Sequence, residues 1–220
     1  MSRYIIRDQP MVVWTGEVAL DAILTVPAET PGIVLIAGLA STTSQPGYRH
    51  LASLLNRSEF GTLLADLLTP EEQQFDSRTG HFRLDIPLLA RRVKGIVRWV
   101  ERSDETRDLP VAFFGTSVAG TAAVVAAAGG VDFYSLVLTS PRIDLALDAA
   151  HRLVAPVLLI QDADQFAVRA LRTDEASLAA PHRLDIIAGA ADVMREPASA
   201  DAVASHAVGW YRVNAPQLVA

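Results

Sequence analysis

The residues with the clearest chemical potential are Ser117 and its neighbours in the segment Gly115-Thr-Ser-Val-Ala119. An apolar run at 111–114 leads into this segment, and a run of small residues at 121–130 follows it. This pattern predicts a strand, a sharp turn and a helix in succession, which is the arrangement of a nucleophile elbow. Such a turn projects a serine hydroxyl above the sheet edge and needs small flanking residues, here glycine and alanine. We therefore identify Ser117 as a candidate nucleophile, although the turn could also require a small residue for steric reasons alone.

The composition of the 220-residue chain excludes several kinds of function. The formal net charge is -6 and the basic residues are scattered, so we expect no nucleic-acid partner. The absence of cysteine excludes disulfides, thiol nucleophiles and thiolate metal sites. No apolar run approaches the roughly 20 residues that a membrane span requires, so we expect a cytoplasmic protein without membrane contact. The length fits a single domain, residues 1–220, without a large inserted lid.

Short apolar runs alternate with longer helical patterns along the chain. The runs at 11–14 and 19–26 alternate in polarity and predict an antiparallel pair at the sheet edge. The continuous apolar run at 33–37 is typical of a strand that helices cover on both faces. Further strands are predicted at 62–68, 111–114, 136–138, 157–160 and 183–187, and helices at 48–56, 84–102 and 198–213. The polar segment 69–83 is expected to carry the chain over the surface. The pattern predicts an α/β fold, a doubly wound, mostly parallel sheet of about eight strands.

With the elbow in this strand order, the chain resembles the α/β-hydrolase fold, and most of all the small, lidless dienelactone-hydrolase-like family. The similar blocks follow one another in the family's order and lie at 24–27, 64–72, 78–86, 114–117 and 155–160. The resemblance implies an α/β-hydrolase-like domain without a lid domain. It also implies a serine hydrolase for small esters or lactones, of the carboxylesterase or lactonase type. We expect no cofactor.

In that family a serine, an acid and a histidine follow one another along the chain. The matching positions here are Ser117 for the nucleophile, Gln165 for the acid, with Asp164 one residue earlier, and Asp192 for the histidine. A carboxylate with a pKa of about 4 is roughly 2 units too weak a base to replace an imidazole. The catalytic set implied by the resemblance is therefore degenerate, with Ser117, Asp164 as an orienting acid, and Asp192 in the place of the base.

The resemblance also implies an oxyanion hole made by the backbone N–H groups of Leu39 and Val118, which could support weak residual hydrolysis. Two functions stay open. The first is a hydrolase that works weakly or through a rearranged base, and the second is a non-catalytic protein that binds a small molecule or has a regulatory role. The expected partner is accordingly a small-molecule ligand or an ester substrate, and a homodimer is left open.

Two further residues are candidates for binding the substrate. His81 follows the predicted strand at 62–68 and could reach the site, either as a replacement base or in substrate binding, or it could brace its loop with Asp85 or Arg83. Arg142 could position a substrate, or it could form an ordinary ion pair with Asp144.

Four carboxylates, Asp66, Asp162, Asp164 and Asp192, fall at or near the carboxyl ends of predicted strands. Converging oxygen ligands of this kind would suit magnesium or calcium. Aspartates at such positions also commonly cap helices or face solvent. We expect the second arrangement and no metal site.

Overall fold

The structure is a computed structural model that describes residues 6–216. Their strands form one eight-stranded sheet in the order β1-β2-β4-β3-β5-β6-β7-β8. The strands are β1 (Ile6–Trp14), β2 (Ala19–Val26), β3 (Ile33–Gly38), β4 (Gly61–Asp66), β5 (Val111–Thr116), β6 (Ser135–Thr139), β7 (Val157–Gln161) and β8 (His182–Ile186). β2 is antiparallel to both β1 and β4, whereas all other neighbours are parallel. The predicted α/β class, strand number and antiparallel edge pair are confirmed.

The helices cover both faces of this sheet. They are α1 (Pro46–Arg57), α2 (Pro70–Thr79), α3 (Ile86–Val100), α4 (Ser117–Ala128), α5 (Leu147–Ala150), α6 (Gln165–Asp174) and α7 (Pro197–Asn214). α1 and α7 pack together on one face, and α3 and α4 pack together on the other. Within residues 6–216 no helix combines the length and the apolar character that crossing a membrane would require.

The side chains of β3 show why its sequence is continuously apolar. Val34 and Ile36 join the core beneath α1 and α7, whereas Ile33 and Leu35 join the core beneath α3 and α4. Successive side chains of a strand point to opposite faces, and here both faces are buried. The central strands are therefore fixed in register by two hydrophobic cores at once.

Helix α2 lies within the polar segment that the apolar pattern did not mark as helical. Thr69 and Glu72 form a capping box at its start, in which each side chain accepts a hydrogen bond from the other residue's backbone N–H. Pro70 occupies the first turn, and Gly80 ends the helix in the left-handed region at φ +66°. The signals for this helix are in its caps, because Asp76 is the one residue of α2 that is buried.

Candidate functional site

The elbow has the strand–turn–helix geometry that its sequence predicts. β5 passes directly into α4, and Ser117, the first residue of α4, has φ +49° and an exposed side chain. Non-glycine residues rarely adopt this left-handed conformation, and where they do it is often at a functional site. A Cβ atom on Gly115 would lie 2.5 Å from a ring carbon of Phe113 and 3.0 Å from the backbone nitrogen of Gly120. The close approach of strand and helix therefore excludes a side chain at Gly115.

Ser117 borders a pocket of about 570 Å³ at the carboxyl ends of the parallel strands, called here the Ser117 pocket. Its walls come from the loops after β3 and β6, from α2 and the segment that follows it, and from the loop between β8 and α7. The polar residues that line it, besides Ser117, are Gln45, Tyr48, Gln73, Asp76, Ser77, Arg83, Thr116, Arg142 and Arg195.

Leu39 and Val118, the expected oxyanion-hole residues, both line this pocket. Val118 is the second residue of α4, and the first N–H groups of a helix have no partner within it. Among residues 6–216 no hydrogen bond from the N–H of Leu39 to another backbone or side-chain group is present. Both N–H groups are thus available to a ligand oxygen, and their use as an oxyanion hole stays a prediction.

The structure does not bring Asp164 or Gln165 into the Ser117 pocket. Asp164 is the N-cap of α6, and its carboxylate accepts a hydrogen bond of 2.8 Å from the backbone N–H of Ala167. Gln165 is the exposed first residue of that helix. The carboxylate that reaches the loop between β8 and α7 is instead that of Asp162, which accepts from the N–H of Ala191 at 3.2 Å.

The loop between β8 and α7 presents Met194 and Arg195 to the pocket, whereas the side chain of Asp192 is exposed and does not line it. The hydroxyl of Thr116 donates to the sulfur of Met194 at 3.3 Å. The hydroxyl oxygen of Thr116 also lies 2.9 Å from the phenol oxygen of Tyr48. A thioether, which cannot take up a proton from serine at neutral pH, therefore lies beside the elbow.

Close packing against α1 fixes this loop. The N–H of Gly47 donates to the carbonyl of Met194 at 3.1 Å. A Cβ atom on Gly47 would lie 2.0 Å from the carbonyl oxygen of Val193, so this contact requires glycine. The resemblance places Asp192 at the histidine position of this loop, but in the structure Met194 and Arg195 line the pocket and Asp192 does not.

None of the five histidines, all of which lie within residues 6–216, lines the Ser117 pocket. Three have polar partners elsewhere: His50 with Asp201 at 2.8 Å, His206 with Asp185 at 2.6 Å, and His182 with the carbonyl of Ala180 at 2.9 Å. His81 packs edge-on against Phe75 and Phe82, with ring centroids 6.0 and 5.2 Å away. Neither of the contacts weighed for His81, with Asp85 or with Arg83, is present among the described residues. The pocket consequently has no imidazole to act as a general base.

Two of the three arginines in the pocket are paired with carboxylates. Arg83 donates to Asp76 at 2.8 Å, and Arg142 forms a bidentate pair with Asp144 at 2.7 and 2.6 Å. Burial raises the pKa of Asp76, but the hydrogen bonds and charge of Arg83 outweigh it and leave that pKa below its usual value. Arg195 is exposed and has no ion pair with any residue in 6–216. It is the cation of the pocket that is free to meet a ligand.

Behind the pocket, the buried carboxyl of Asp66 fixes the loop that follows β3. Asp66 is 4% exposed and accepts hydrogen bonds from the N–H of Thr42 and, at 3.5 Å, from the side-chain amide of Gln73. Burial raises the pKa of Asp66, and the hydrogen bonds from Thr42 offset only part of that effect. Burial likewise raises the pKa of Tyr48 far above its ordinary value, so its phenol stays protonated.

The four carboxylates considered for a metal ion have separate roles. Asp66 binds Thr42, Asp162 binds Ala191, and Asp164 caps α6, while Asp192 points to solvent. In the part of the chain that the structure describes, no three His, Asp or Glu side chains are grouped closely enough to hold a metal ion.

Comparison with known proteins bears on the fold. No family model matches the chain. A crystal structure of a dienelactone hydrolase from Anabaena variabilis has 36% sequence identity and a TM-score of 0.88, and the match covers 96% of this chain and 99% of that one. The chain belongs to the dienelactone-hydrolase-like family. The α/β-hydrolase fold expected from the elbow and strand order is thereby confirmed, whereas the state of the catalytic triad rests on the site geometry alone.

Two Mycobacterium tuberculosis proteins whose names propose phosphoribosyl transferase activity are also relatives of this chain. Each is 36% identical over 209 residues, which is 94% of this chain. The chain spans only 46% of the length of each of these relatives. The similarity therefore covers less than half of their own sequences.

Proposed function

We propose that this chain binds a small organic anion in the Ser117 pocket and does not hydrolyse esters through a serine–histidine–acid triad. The observation that carries the proposal is that no histidine lines the pocket, and that Met194 occupies the wall beside the elbow. A serine hydroxyl is a weak nucleophile unless a neighbouring base removes its proton. The pocket supplies no such base.

The anionic character of the ligand follows from the remaining polar groups. Arg195 offers a guanidinium that no carboxylate of residues 6–216 neutralises. The N–H groups of Leu39 and Val118 and the hydroxyl of Ser117 can donate hydrogen bonds to oxygen atoms at the same pocket. Hydrogen bonds to charged acceptors are about twice as strong as neutral ones, so a carboxylate gains most from this set. The volume suits a small molecule.

The test compares benzoate with methyl benzoate, which have similar shapes and differ in charge, by calorimetric titration of the purified chain. We expect benzoate to bind at least about tenfold more tightly, since a hydrogen bond to a charged group contributes about 1.5–3 kcal/mol. Arg195→Ala should remove this difference, whereas Arg172→Ala, an exposed arginine outside the pocket, should retain it. Equal affinities for the acid and its ester in the unaltered chain would refute the proposal.

Weak esterase activity is the second candidate, favoured by the strained φ of Ser117 and its exposed hydroxyl. An oxyanion hole and substrate binding alone can accelerate acyl transfer about 10³- to 10⁴-fold over water. Hydrolysis of a chromogenic acetate ester separates the two candidates. A rate that falls with Ser117→Ala supports the esterase, and a rate that is unchanged supports the binding protein.

The phosphoribosyl transferase name of the two longer relatives belongs, in this proposal, to the part of those proteins that this chain does not match. The matched part carries the dienelactone-hydrolase-like fold, and it accounts for 46% of their length. We therefore expect this chain by itself to transfer no phosphoribosyl group. Detection of such transfer by the purified chain would contradict this assignment.

A further inference from the structure

A second pocket of about 610 Å³ lies towards the end of the strands opposite to the Ser117 pocket. It is bounded by the start of β1, the end of β2 and one side of α1, and it shares no lining residue with the Ser117 pocket. Its floor includes Thr25, which pairs with Thr62 at the beginning of β4. This pocket is therefore at the amino ends of the parallel strands, away from the site already described.

One wall of this second pocket is a polar stripe on α1. Arg49, Ser53 and Arg57 all line it and are spaced four residues apart, so they lie along the same side of the helix. Asn56 lines it as well. The side-chain oxygen of Asn56 accepts a hydrogen bond from the hydroxyl of Thr62 at 3.1 Å, and its amide N–H groups, which can donate to a ligand, have no partner within residues 6–216.

The facing wall is a β-bulge in β1. Ile6 pairs with Val26 and Gln9 pairs with Leu24, so Arg7 and Asp8 together oppose Thr25. Neighbouring residues of a regular strand point to opposite faces, but the bulge allows Arg7 and Asp8 to line the same pocket. Asp8 adopts φ +42°, and its N–H donates to the hydroxyl oxygen of Thr25 at 3.1 Å.

The described residues that line this pocket carry an excess of positive charge. Arg7, Arg49 and Arg57 form no ion pair with any residue in 6–216. Within that range Asp8 is the one carboxylate that lines the pocket, and it accepts a hydrogen bond from the hydroxyl of Thr25 at 3.4 Å. Gathering like charges costs free energy, and it occurs here in a chain whose net charge is -6. A bound anion would remove that cost.

We propose that this second pocket binds a phosphorylated small molecule, with its phosphate or diphosphate group held between the stripe on α1 and the bulge of β1. Guanidinium groups match phosphate oxygens with two parallel N–H donors, and three arginines from two elements line this pocket. The hydroxyl of Ser53 and the amide of Asn56 supply neutral donors to the same group. The inference is independent of the ligand proposed for the Ser117 pocket.

The experiment titrates the purified chain with inorganic pyrophosphate and, separately, with citrate, a polyanion that carries carboxylates instead of phosphates. We expect pyrophosphate to bind more tightly than citrate. The double variant Arg49→Ala with Arg57→Ala should weaken pyrophosphate binding at least about tenfold, because two charge-assisted contacts are lost. The double variant Arg49→Lys with Arg57→Lys keeps the charge and loses the paired donors. Its affinity for pyrophosphate should therefore lie between that of the unaltered chain and that of the double alanine variant.

A control variant and a second background locate the binding. Arg172→Ala removes an exposed arginine that lines neither pocket and forms no ion pair with any residue in 6–216, and it should leave pyrophosphate affinity unchanged. Because Arg195 can itself hold an anion in the Ser117 pocket, the titrations are repeated in an Arg195→Ala background, where the loss caused by the double alanine variant should persist. Equal pyrophosphate affinity in the folded double alanine variant would overturn the proposal. Citrate binding as tight as pyrophosphate binding would overturn the assignment to phosphate.

Discussion

The hydroxyl of Thr116, the residue immediately before Ser117, donates a hydrogen bond to the sulfur of Met194 at 3.3 Å. This contact joins the elbow to the loop between β8 and α7. Because Gly47 packs directly under Val193, the loop has little freedom to present another residue. A thioether therefore contacts the residue before Ser117 and lines the same pocket as the serine.

Replacing Gly47 by alanine should destabilise the protein and move this loop. The new Cβ atom would lie 2.0 Å from the carbonyl oxygen of Val193. Because this oxygen belongs to the backbone, it cannot move aside as the end of a flexible side chain could. We expect a loss of about 1–3 kcal/mol in the free energy of unfolding, measured by urea denaturation. The matched control is Gly209→Ala in α7, where nothing lies within 4 Å. That variant should gain up to about 1 kcal/mol, and equal effects at the two sites would contradict the packing described.

The raised pKa of Asp66 predicts a specific pH dependence of stability. Burial is the main cause of the increase, so the folded state binds a proton more readily than the unfolded state, whose pKa is near 3.8. The contribution of Asp66 to the free energy of unfolding is therefore greatest below the unfolded-state pKa, and it declines as pH rises towards the folded-state pKa. Asp66→Asn retains an acceptor for Thr42 and should remove the decline, as measured by thermal unfolding across this range. Parallel stability curves for both proteins would show that the carboxyl does not titrate in this way.

A histidine at position 194 should introduce the missing base more effectively than one at position 192. Met194 lines the Ser117 pocket, whereas the side chain of Asp192 is exposed outside it. An optimised general base contributes about 10²- to 10⁴-fold, and we expect about tenfold for Met194→His in hydrolysis of a chromogenic acetate ester. Asp192→His, alone or with Gln165→Asp, should give no comparable gain. A larger gain from Asp192→His would mean that the loop places residue 192 against the serine.

The fold was predictable because its signals are local and repeated. Continuous apolar runs such as 33–37 mark strands buried on both faces, and the small residues around Ser117 mark the elbow. Helix α2 was missed because its signals are caps, and it buries almost no apolar surface. Helix α6 was missed because Asp164 was considered as a catalytic acid, whereas its carboxylate caps that helix.

The content of the site was less predictable, because it depends on how two loops pack. The spacing predicts residue 192 in the place of the base, but in the loop packed against Gly47 it is Met194 and Arg195 that line the pocket. The pairing of Arg142 with Asp144 was among the predicted alternatives and is present. The pairing of Arg83 with Asp76 depends on α2 and had no signal in the apolar pattern.

The central claim, that Ser117 lacks an activating base, is tested most directly by a serine-directed fluorophosphonate. The purified chain is incubated with the reagent beside an active serine esterase, and the intact mass and peptide masses are then measured. We expect no adduct on Ser117 under conditions in which the esterase is fully labelled. An adduct on Ser117 that is lost in a folded Ser117→Ala variant would contradict the claim and show that the hydroxyl is activated.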